Sequence, residues 1–501
     1  MWGKVNVRFR IFEDEIWVYW EKPAKGELEY VVYSNGVLIA RVRKTHYRMT
    51  RLVPESTYII RIDAFQGKTK RASTCVHATT LRKRRRVDVT AAPYFAVGDG
   101  ECINTAALQA AFDACGKGDC LYFPQGRYLT GGLDVPCGVE IYLEKGACLL
   151  GMEDPQAYLP KIDSRYEGIE RKCYRSLLNI GRWTESREAL PVDVCIRGGG
   201  EICGGGFALA ENTIAIEKSA LLATGAPTFV QDAENQDTVA GRARGRLIHI
   251  CCAENVTIAG ITLRNGPAWN VHAIYSKNIV VADCCFGSEN IWNGDGFDPD
   301  SSENCVIYGC NFQTGDDCIA VKSGKNPQGN SIAKPTKGVE IFDCFCEYGH
   351  GIAIGSEISG GVQDVRIWDC DFKNSGNGLT IKSHRKRGGY IRNVTVENCV
   401  FSGILIVGSV PYNMDGESAK ELSEFARLRF ENVYLTGRCF SMTRDTFRMP
   451  AIKIIGYEED ETRFHEMYFK NTCIEKYQTD ECAPIVTEFV QKVYLDGIYY
   501  E

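Results

Sequence analysis

Short runs of alternating apolar and polar residues, bounded by glycine, asparagine and aspartate, fill most of the chain and predict β-strands. Near the start, between residues 17 and 65, lie the runs WVYWEKP, EYVVYSNGVLIARV and STYIIRIDAF. Asn35-Gly36 within the second run is a typical hairpin turn. We therefore expect a small β-sandwich over residues 1–82.

One later stretch has helical spacing instead. In NTAALQAAFDAC, residues 104–115, the apolar side chains of Leu108, Ala111, Phe112 and Cys115 follow the pattern i, i+3, i+4, i+7. This pattern predicts one amphipathic helix, which we expect to cap whatever follows it.

A strand-like unit then recurs at intervals of 23 to 34 residues. An irregular period of this length is typical of a β-solenoid whose turns accept insertions, and we expect it to fill residues 83–501. The copies are NVTIAGITL at 255, NIVVADCCF at 278, NCVIYGCNF at 304, GVEIFDCFC at 338, DVRIWDCDF at 364 and NVTVENCVF at 393.

In the last five units, the same offsets carry cysteine at one position and phenylalanine or cysteine at another. Equal offsets in stacked coils become near neighbours about 4.8 Å apart, so these residues should form two inward ladders. Cysteine as core filler is favoured over metal binding, since paired CxxC spacing is missing. The first ladder is Cys284, Cys310, Cys344, Cys370 and Cys399, and the second is Phe286, Phe312, Cys346, Phe372 and Phe401.

Four consecutive coils share a second strand, in NGDGFDPDS, GDDCIAVKS, GHGIAIGS and GNGLTIKS. Aligning them on their common ending predicts three outward polar columns. The first column holds Asp295, Asp317, His350 and Asn377, with Asp316 one residue earlier in its coil; the second holds Asp298, Ala320, Ala353 and Thr380; the third holds Asp300, Lys322, Gly355 and Lys382.

Clustered carboxylates indicate chemistry more than stability. A single Asp-Gly pair would be an ordinary turn, but like charges at this spacing repel and raise at least one pKa. A carboxyl with a raised pKa beside ionised ones suits general acid and base catalysis, of which glycosidic cleavage is the most familiar use.

The composition limits which binding partners and which compartment we expect for the protein. A formal net charge of -6 and a pI near 5.8 argue against nucleic acid. The chain has no apolar stretch long enough for a signal peptide or a membrane helix, and its 23 cysteines lie mostly in strand-like runs. We expect a cytoplasmic protein with mostly reduced thiols; its oligomeric state is open.

Four blocks resemble the signatures of glycoside hydrolase family 28, the polygalacturonase family, and the likeness extends from about residue 87 towards the C-terminus. Through that resemblance the expected fold is a right-handed parallel β-helix, an all-β solenoid of the pectin-lyase type. In addition, LVPESTYIIRIDAF resembles the fibronectin type III pattern, with Tyr58 as its corner tyrosine and Trp20 as a core aromatic. The blocks contain Asn293, Asp295, Gly296 and Asp298; Gly315, Asp316 and Asp317; Gly349, His350 and Gly351; and Ile381 and Lys382.

The resemblance implies roles for these residues. Asp316 would protonate the glycosidic oxygen, Asp295 and Asp317 would hold the attacking water, and His350 would tune the acid or bind substrate. The reaction would invert the anomeric carbon and need no metal or other cofactor. Substrate would be bound by Asn293, Asp298, Lys322, Gly351, Thr380 and Lys382.

One position departs from the family pattern. Thr380 stands where the family places an arginine that grips a uronate carboxylate, and Arg385 and Arg387 follow in the next loop. Two interpretations stay open. Either the cations of this loop, together with Lys322 and Lys382, replace the missing clamp, or the sugar bound there is not a uronate.

The leading hypothesis is an inverting exo-glycosidase that releases terminal galacturonate from pectin-derived oligosaccharides. The alternative within the family is an exo-glycosidase for another terminal sugar of a pectic oligosaccharide or plant glycoside, favoured by Thr380. Less favoured are an endo-polygalacturonase, a pectate lyase and a carbohydrate-binding solenoid without catalysis. Long inserts at about 153–192 and 207–246 are expected to wall off one end of a groove.

Overall fold

The computed structural model describes residues 5–23, 26–224, 240–412, 416–440, 445–477 and 482–501. The chain divides into two compact units, Met1–Arg85 and Arg86–Glu501. This division lies close to the boundary expected between residues 82 and 83.

The first unit is the predicted small β-sandwich, built from two antiparallel sheets. Its core contains Trp20, which is fully buried with its ring edge against Tyr30 at a centroid distance of 5.2 Å. The backbone N–H of Val53 donates to the Tyr58 hydroxyl at 2.9 Å. In sheet order, the strands are Val7–Ile11, Ile16–Trp20 and His46–Met49 in one sheet and Val37–Val42, Glu29–Ser34, Thr57–Gln66 and Thr69–Thr79 in the other.

The second unit is a right-handed parallel β-helix, as expected. Most coils place one short strand in each of three rows, and the strands of each row pair in parallel from coil to coil. The first row comprises Arg86–Asp88, Cys120–Phe123, Glu140–Leu143, Leu190–Gly198, Ala253–Ala259, Lys277–Ala282, Glu303–Tyr308, Thr336–Phe342, Val362–Trp368, Tyr390–Glu397, Glu424–Leu435, Phe464–Ile474 and Val493–Tyr500.

The other two rows complete the coils, and the third row is the one that matters for chemistry. The second row comprises Asp99–Ile103, Gly126–Thr130, Ala147–Gly151, Glu201–Cys203, Thr262–Arg264, Cys285–Gly287, Asn311–Gln313, Phe345–Tyr348, Asp371–Phe372 and Val400–Phe401. The third row comprises Leu133–Val135, Leu178–Gly181, Ile248–Cys251, Val271–Ile274, Phe297–Asp300, Ile319–Val321, Ile352–Ile354, Leu379–Lys382, Ile404–Val407, Ile452–Ile455 and Ile485–Glu488.

The remaining elements are insertions and caps. The predicted helix runs over Thr105–Asp113 and buries Leu108, Ala111 and Phe112, as its spacing indicated. The other helices among the described residues are Gly206–Ala223 and Gln328–Ile332, with 3-10 turns at Pro155–Tyr158, Gly241–Ala243 and Glu461–Arg463. Outside the three rows, described hairpins pair Ile162–Tyr166 with Ile169–Cys173 and Arg438–Phe440 with Thr446–Arg448. None of the helices in the described ranges is long and apolar enough to cross a membrane.

The first residue of the recurring unit explains how each coil turns. In the six copies this residue has a positive φ, which only glycine adopts freely and asparagine and aspartate adopt more readily than other residues. The asparagine side chains also bond from coil to coil, with Asn278 Nδ2 3.2 Å from Asn255 Oδ1 and Asn304 Nδ2 3.2 Å from Asn278 Oδ1. The φ values are 67° at Asn255, 56° at Asn278, 54° at Asn304, 69° at Gly338, 59° at Asp364 and 57° at Asn393.

Both predicted ladders are present in the core. Phe286 and Phe312 stack with ring centroids 4.9 Å apart, and Phe312 lies 6.2 Å from Phe372. Each cysteine of the other ladder is buried and directs its thiol to the carbonyl oxygen two residues earlier, for example Cys284 to Ala282 at 3.3 Å. These thiols satisfy their own hydrogen-bonding need locally, so the ladder requires no metal to be stable.

Replacing one aromatic of the ladder should be costly. Phe312→Ala removes a fully buried ring with neighbours in adjacent coils, and we expect a loss of about 3 to 5 kcal/mol in the free energy of unfolding. Urea denaturation of the full chain, followed by circular dichroism, measures it. Phe447→Ala, at a side chain that is 49% exposed, is the control and should change little; equal effects at the two positions would contradict the ladder's role.

Candidate active site

The outer face of the third row carries the predicted columns. Strand pairing sets Phe297 beside Ile319, Ile319 beside Ile352, and Ile352 beside Leu379, so the apolar residues point inward in register. The residues that follow each of these, from Asp298 through the two alanines to Thr380, therefore form one outward column. Asp300 likewise pairs with Lys322 in the next coil.

Asp295, Asp316 and Asp317, which we call the acidic trio, come together with His350 at one point of this face. His350 Nδ1 lies 2.9 Å from Asp316 Oδ1, and the backbone N–H of Asp317 donates to the same oxygen at 2.9 Å. Asp316, Asp317 and His350 each place one polar atom within 4.8 Å of the others. Asp316 and His350 are about one-third exposed, whereas Asp317 and Asp295 are buried.

Two lysines hold the buried carboxylates. Lys322 Nζ lies 3.3 Å from Asp295 Oδ2, and Lys382 Nζ lies 3.3 Å from Asp317 Oδ2. Each member of the acidic trio therefore has its own cationic partner, with His350 taking that part for Asp316 if it is protonated.

Burial raises the pKa of two carboxyl groups. The pKa of Asp298 rises to about 8 because the side chain is buried and lies near other acids, although Lys322 opposes the shift. The pKa of Asp295 is also raised, first by burial and then by the charge of Asp298. Neither Asp298 oxygen, nor Oδ1 of Asp295, has a hydrogen-bond partner among the described residues. The upward shift therefore falls on this pair, with burial as its first cause, and not on Asp316, the expected general acid.

Asp316 behaves in the opposite way. Burial favours its neutral form, but the charge and hydrogen bond of His350 outweigh burial and lower the pKa of Asp316. The same pairing outweighs the burial of the imidazole and raises the pKa of His350 to about 9. At neutral pH the pair therefore shares one proton, held on the imidazole.

The glycines around His350 have a steric reason. A Cβ atom on Gly351 would lie 2.2 Å from the Gly378 carbonyl oxygen, and one on Gly349 would lie 2.3 Å from Thr314 Oγ1. Both have positive φ, at 104° and 142°. Close packing between coils thus demands glycine on either side of the imidazole, whether or not Gly351 meets substrate as predicted.

The other predicted binding residues lie in different settings. Asn293 Oδ1 accepts from Arg244 Nη2 at 2.6 Å and from the Tyr166 hydroxyl at 3.3 Å. Thr380 is buried, and its hydroxyl oxygen has no hydrogen-bond partner among the described residues. Arg385 pairs with Glu459, and Arg387 is fully buried. The sequence did not predict that Arg385 would be paired with a glutamate or that Arg387 would be buried. The role of these two arginines in binding substrate stays a prediction.

A hairpin covers the coils just before the acidic trio. Ser164 Oγ, in Ile162–Tyr166, is 3.0 Å from His249 Nε2, and the Tyr166 ring stacks on Trp269 with centroids 5.0 Å apart. The side chain of His249 is buried, although strand pairing places it on the outer face.

Arg165 fastens this hairpin to the face. Its Nη1 donates to Asp300 Oδ1 at 2.6 Å and to Ser301 Oγ at 2.9 Å, and its Nη2 donates to the Tyr275 hydroxyl. Arg165 and Asp300 are both fully buried. A buried ion pair with these additional hydrogen bonds fixes the hairpin in one place.

Sequence reasoning missed the residues that the insertions contribute. Arg165 and Tyr166 come from the first insert, and Arg244 and Arg246 come from the second. The inserts carry no repeat, so register could not place them. Glu357 was also missed, although it directly follows the block GHGIAIGS and a search beyond the block would have found it.

Fold and site together define the class of protein: a right-handed parallel β-helix with cation-paired carboxylates on one outer face. Residues 217–434 match the family described as Glycosyl hydrolases family 28. This match covers less than half of the 501 residues, and it includes Asp295, Asp316, Asp317 and His350.

Two sequence relatives have names that concern pectin. A probable polygalacturonase of Vitis vinifera is 33% identical over 313 residues, which cover 60% of this chain and 58% of that protein. An exo-poly-alpha-D-galacturonosidase of Dickeya chrysanthemi is 26% identical over 440 residues, covering 83% of this chain and 71% of that protein.

Two solved structures support the fold. The family 28 exopolygalacturonase of Yersinia enterocolitica aligns with a TM-score of 0.82 at 22% identity, covering 100% of this chain and 98% of that one. An exopolygalacturonase of Thermotoga maritima aligns with a TM-score of 0.66 at 24% identity, covering 84% of this chain and 91% of that one.

The raised pKa of Asp298 has a measurable cost. Between the ordinary value of 3.8 and about 8, the unfolded state ionises while the folded state keeps its proton, so folding stability falls as pH rises. Asp298→Asn removes this dependence. We expect its free energy of unfolding, relative to wild type, to increase by about 1 kcal/mol or more between pH 5 and pH 7.

Urea denaturation at the two pH values tests this expectation. Asp371→Asn is the control, because Asp371 lies in a half-exposed pair with Lys373 at 2.8 Å. A difference between Asp298→Asn and wild type that stays constant with pH would show that Asp298 ionises normally in the folded protein.

Proposed function

We propose that the protein is an inverting, exo-acting glycoside hydrolase that releases terminal galacturonate from pectin-derived oligosaccharides. The observation that carries this proposal is the contact of the hairpin Ile162–Tyr166 and Ile169–Cys173 with Asn293 and Asp300, next to the acidic trio. In the proposed binding mode, a chain lying along the outer face meets this hairpin beside Asp295, and only a terminal sugar is accommodated there. The names of the Dickeya and Yersinia proteins also favour exo action.

The chemistry follows from the two kinds of carboxylate. In the proposed reaction, water held by Asp295 and Asp317 attacks the anomeric carbon and gives up a proton to them. The proton held on His350 passes through Asp316 to the glycosidic oxygen as the bond to the leaving sugar breaks, and the proton taken from water later returns to the pair of Asp316 and His350. Because the pair of Asp316 and His350 keeps one proton up to about pH 9, a proton for the leaving group is present at neutral pH.

The mode of cleavage is tested with trigalacturonate. We expect early release of galacturonate alone, with inverted configuration at the new anomeric centre, observed by chromatography and proton NMR. Early appearance of internal cleavage products from longer galacturonan would contradict exo action, and retained configuration would contradict inversion.

A second candidate is an exo-glycosidase for another terminal sugar of a pectic oligosaccharide or plant glycoside. Thr380 favours it, since the fork of an arginine is absent and Lys382 is already bound to Asp317. No cleavage of galacturonides by folded enzyme, together with cleavage of neutral plant glycosides, would select this candidate.

The acid role is tested by Asp316→Asn. Loss of the proton donor should lower kcat by at least about a hundredfold, in the range that general acid catalysis supplies. Asp371→Asn, away from the trio, should keep its activity. Turnover close to wild type in Asp316→Asn would remove Asp316 from the role of acid.

We further propose that the first unit is of the fibronectin type III kind. The three-stranded and four-stranded sheets and the contact of Tyr58 with Val53 support this assignment. A cytoplasmic location and the lack of a nucleic-acid or membrane partner stay predictions from the sequence.

A further inference from the structure

Lys322 was expected to bind substrate, but its surroundings indicate a different part. Its side chain is 8% exposed, and its ammonium group lies among protein acids, 3.3 Å from Asp295 Oδ2 and 4.0 Å from Glu357 Oε1. The indole ring of Trp269 is 4.3 Å from the same nitrogen. An ammonium group enclosed in this way is poorly accessible to a sugar carboxylate, because protein groups already surround it.

Removing this cation would leave several acids buried together. Asp298 and Glu357 are both buried, and both Asp298 oxygens and Oε2 of Glu357 lack a hydrogen-bond partner among the described residues. Buried carboxylates without a nearby cation take up protons, since burial disfavours their charged form. Asp295 is part of this group and its pKa is already raised, so loss of the lysine would raise that pKa further and widen the pH range in which the neutral side chain cannot accept a proton from water.

The contact with Lys322 leaves the two carboxylate oxygens of Asp295 in different surroundings. Oδ2 faces Lys322, whereas Oδ1 has no partner in the described protein. The lysine thus fixes the carboxylate from one side and leaves the second oxygen for another donor, which in the proposed reaction is the attacking water.

Lys382 provides a contrast on the same face. It holds Asp317 at the same distance, but its ammonium group also lies 5.8 Å from the ring of Tyr412, which is 49% exposed. Lys382 therefore borders the surface that a sugar would reach, whereas Lys322 is surrounded by protein.

We propose that Lys322 is a positioning residue that favours the ionised form of Asp295 and holds this carboxylate in place for the attacking water, and that it does not bind the substrate. This inference rests on the proposed hydrolysis, and it assigns Glu357 the opposing influence. An added positive charge beside Asp295 favours its ionised form, and an added negative charge disfavours it.

Three variants test the assignment by their pH dependence. In Lys322→Met, the acidic limb of the kcat profile should move to higher pH by about one unit or more, with KM within about threefold of wild type. Lys322→Arg should restore most of the wild-type profile. Glu357→Gln should move the limb the other way, to lower pH. Lys337→Met, at a surface lysine paired with Glu303, is the control and should match wild type.

A second measurement needs no substrate. Carbon NMR titration of aspartate carboxyl groups, assigned with Asp295→Asn and Asp298→Asn, should show this pair losing its protons at higher pH in Lys322→Met. If wild type cleaves no glycoside, the proposed function fails while this titration still tests Lys322.

Distinct results would overturn the assignment. A raised KM with an unchanged pH profile would make Lys322 a substrate ligand. Lower activity with unchanged profile and titration would mean that the loss comes from packing, and failure of Lys322→Arg to restore the profile would mean the same.

Discussion

In-register stacking of parallel strands is the constraint on which this molecule depends. Because equal positions in successive coils lie about 4.8 Å apart, every side chain meets a counterpart above and below it. Inside, this produces continuous ladders of cysteine and phenylalanine. Outside, it forces acidic residues of neighbouring coils into contact that an isolated strand would never create.

That enforced proximity explains the arrangement of charge. Three acids on one face would repel each other, and each of them lies beside a separate basic side chain. The pairs are Lys322 with Asp295, Lys382 with Asp317 and His350 with Asp316. Asp298 has no ion-pair partner among the described residues, and burial raises its pKa. A cation alone does not set the ionisation of these acids, because burial also raises the pKa of Asp295 although Lys322 lies beside it.

Most of the fold and the floor of the site could be read from the sequence, because both depend on a repeat. The offset from Asn255 to Asn278 and onward fixes register, and register alone brings Asp295, Asp317 and His350 together.

The features that the sequence could not predict depend on the inserts or on burial. Contacts such as that of Arg165 with Asp300 join residues 135 positions apart with no shared pattern. Arg387 was a candidate to replace the missing uronate clamp, yet its side chain is fully buried. Repulsion predicted that some pKa would rise, but only the packing shows that Asp298 and Asp295 rise while Asp316 falls.

The hairpin between Ile162 and Cys173 leaves and rejoins the solenoid without interrupting the ladders beneath it. Its length and sequence are therefore free of the spacing rule that governs the coils, apart from a few anchor points such as Arg165. The coils that carry the acidic residues and the hairpin beside them are therefore under separate constraints. A substitution in a coil disturbs that coil and its two neighbours, whereas the hairpin can change one residue at a time. A protein of this design can acquire a new preference for chain length or sugar while its reacting groups stay where the stacking put them.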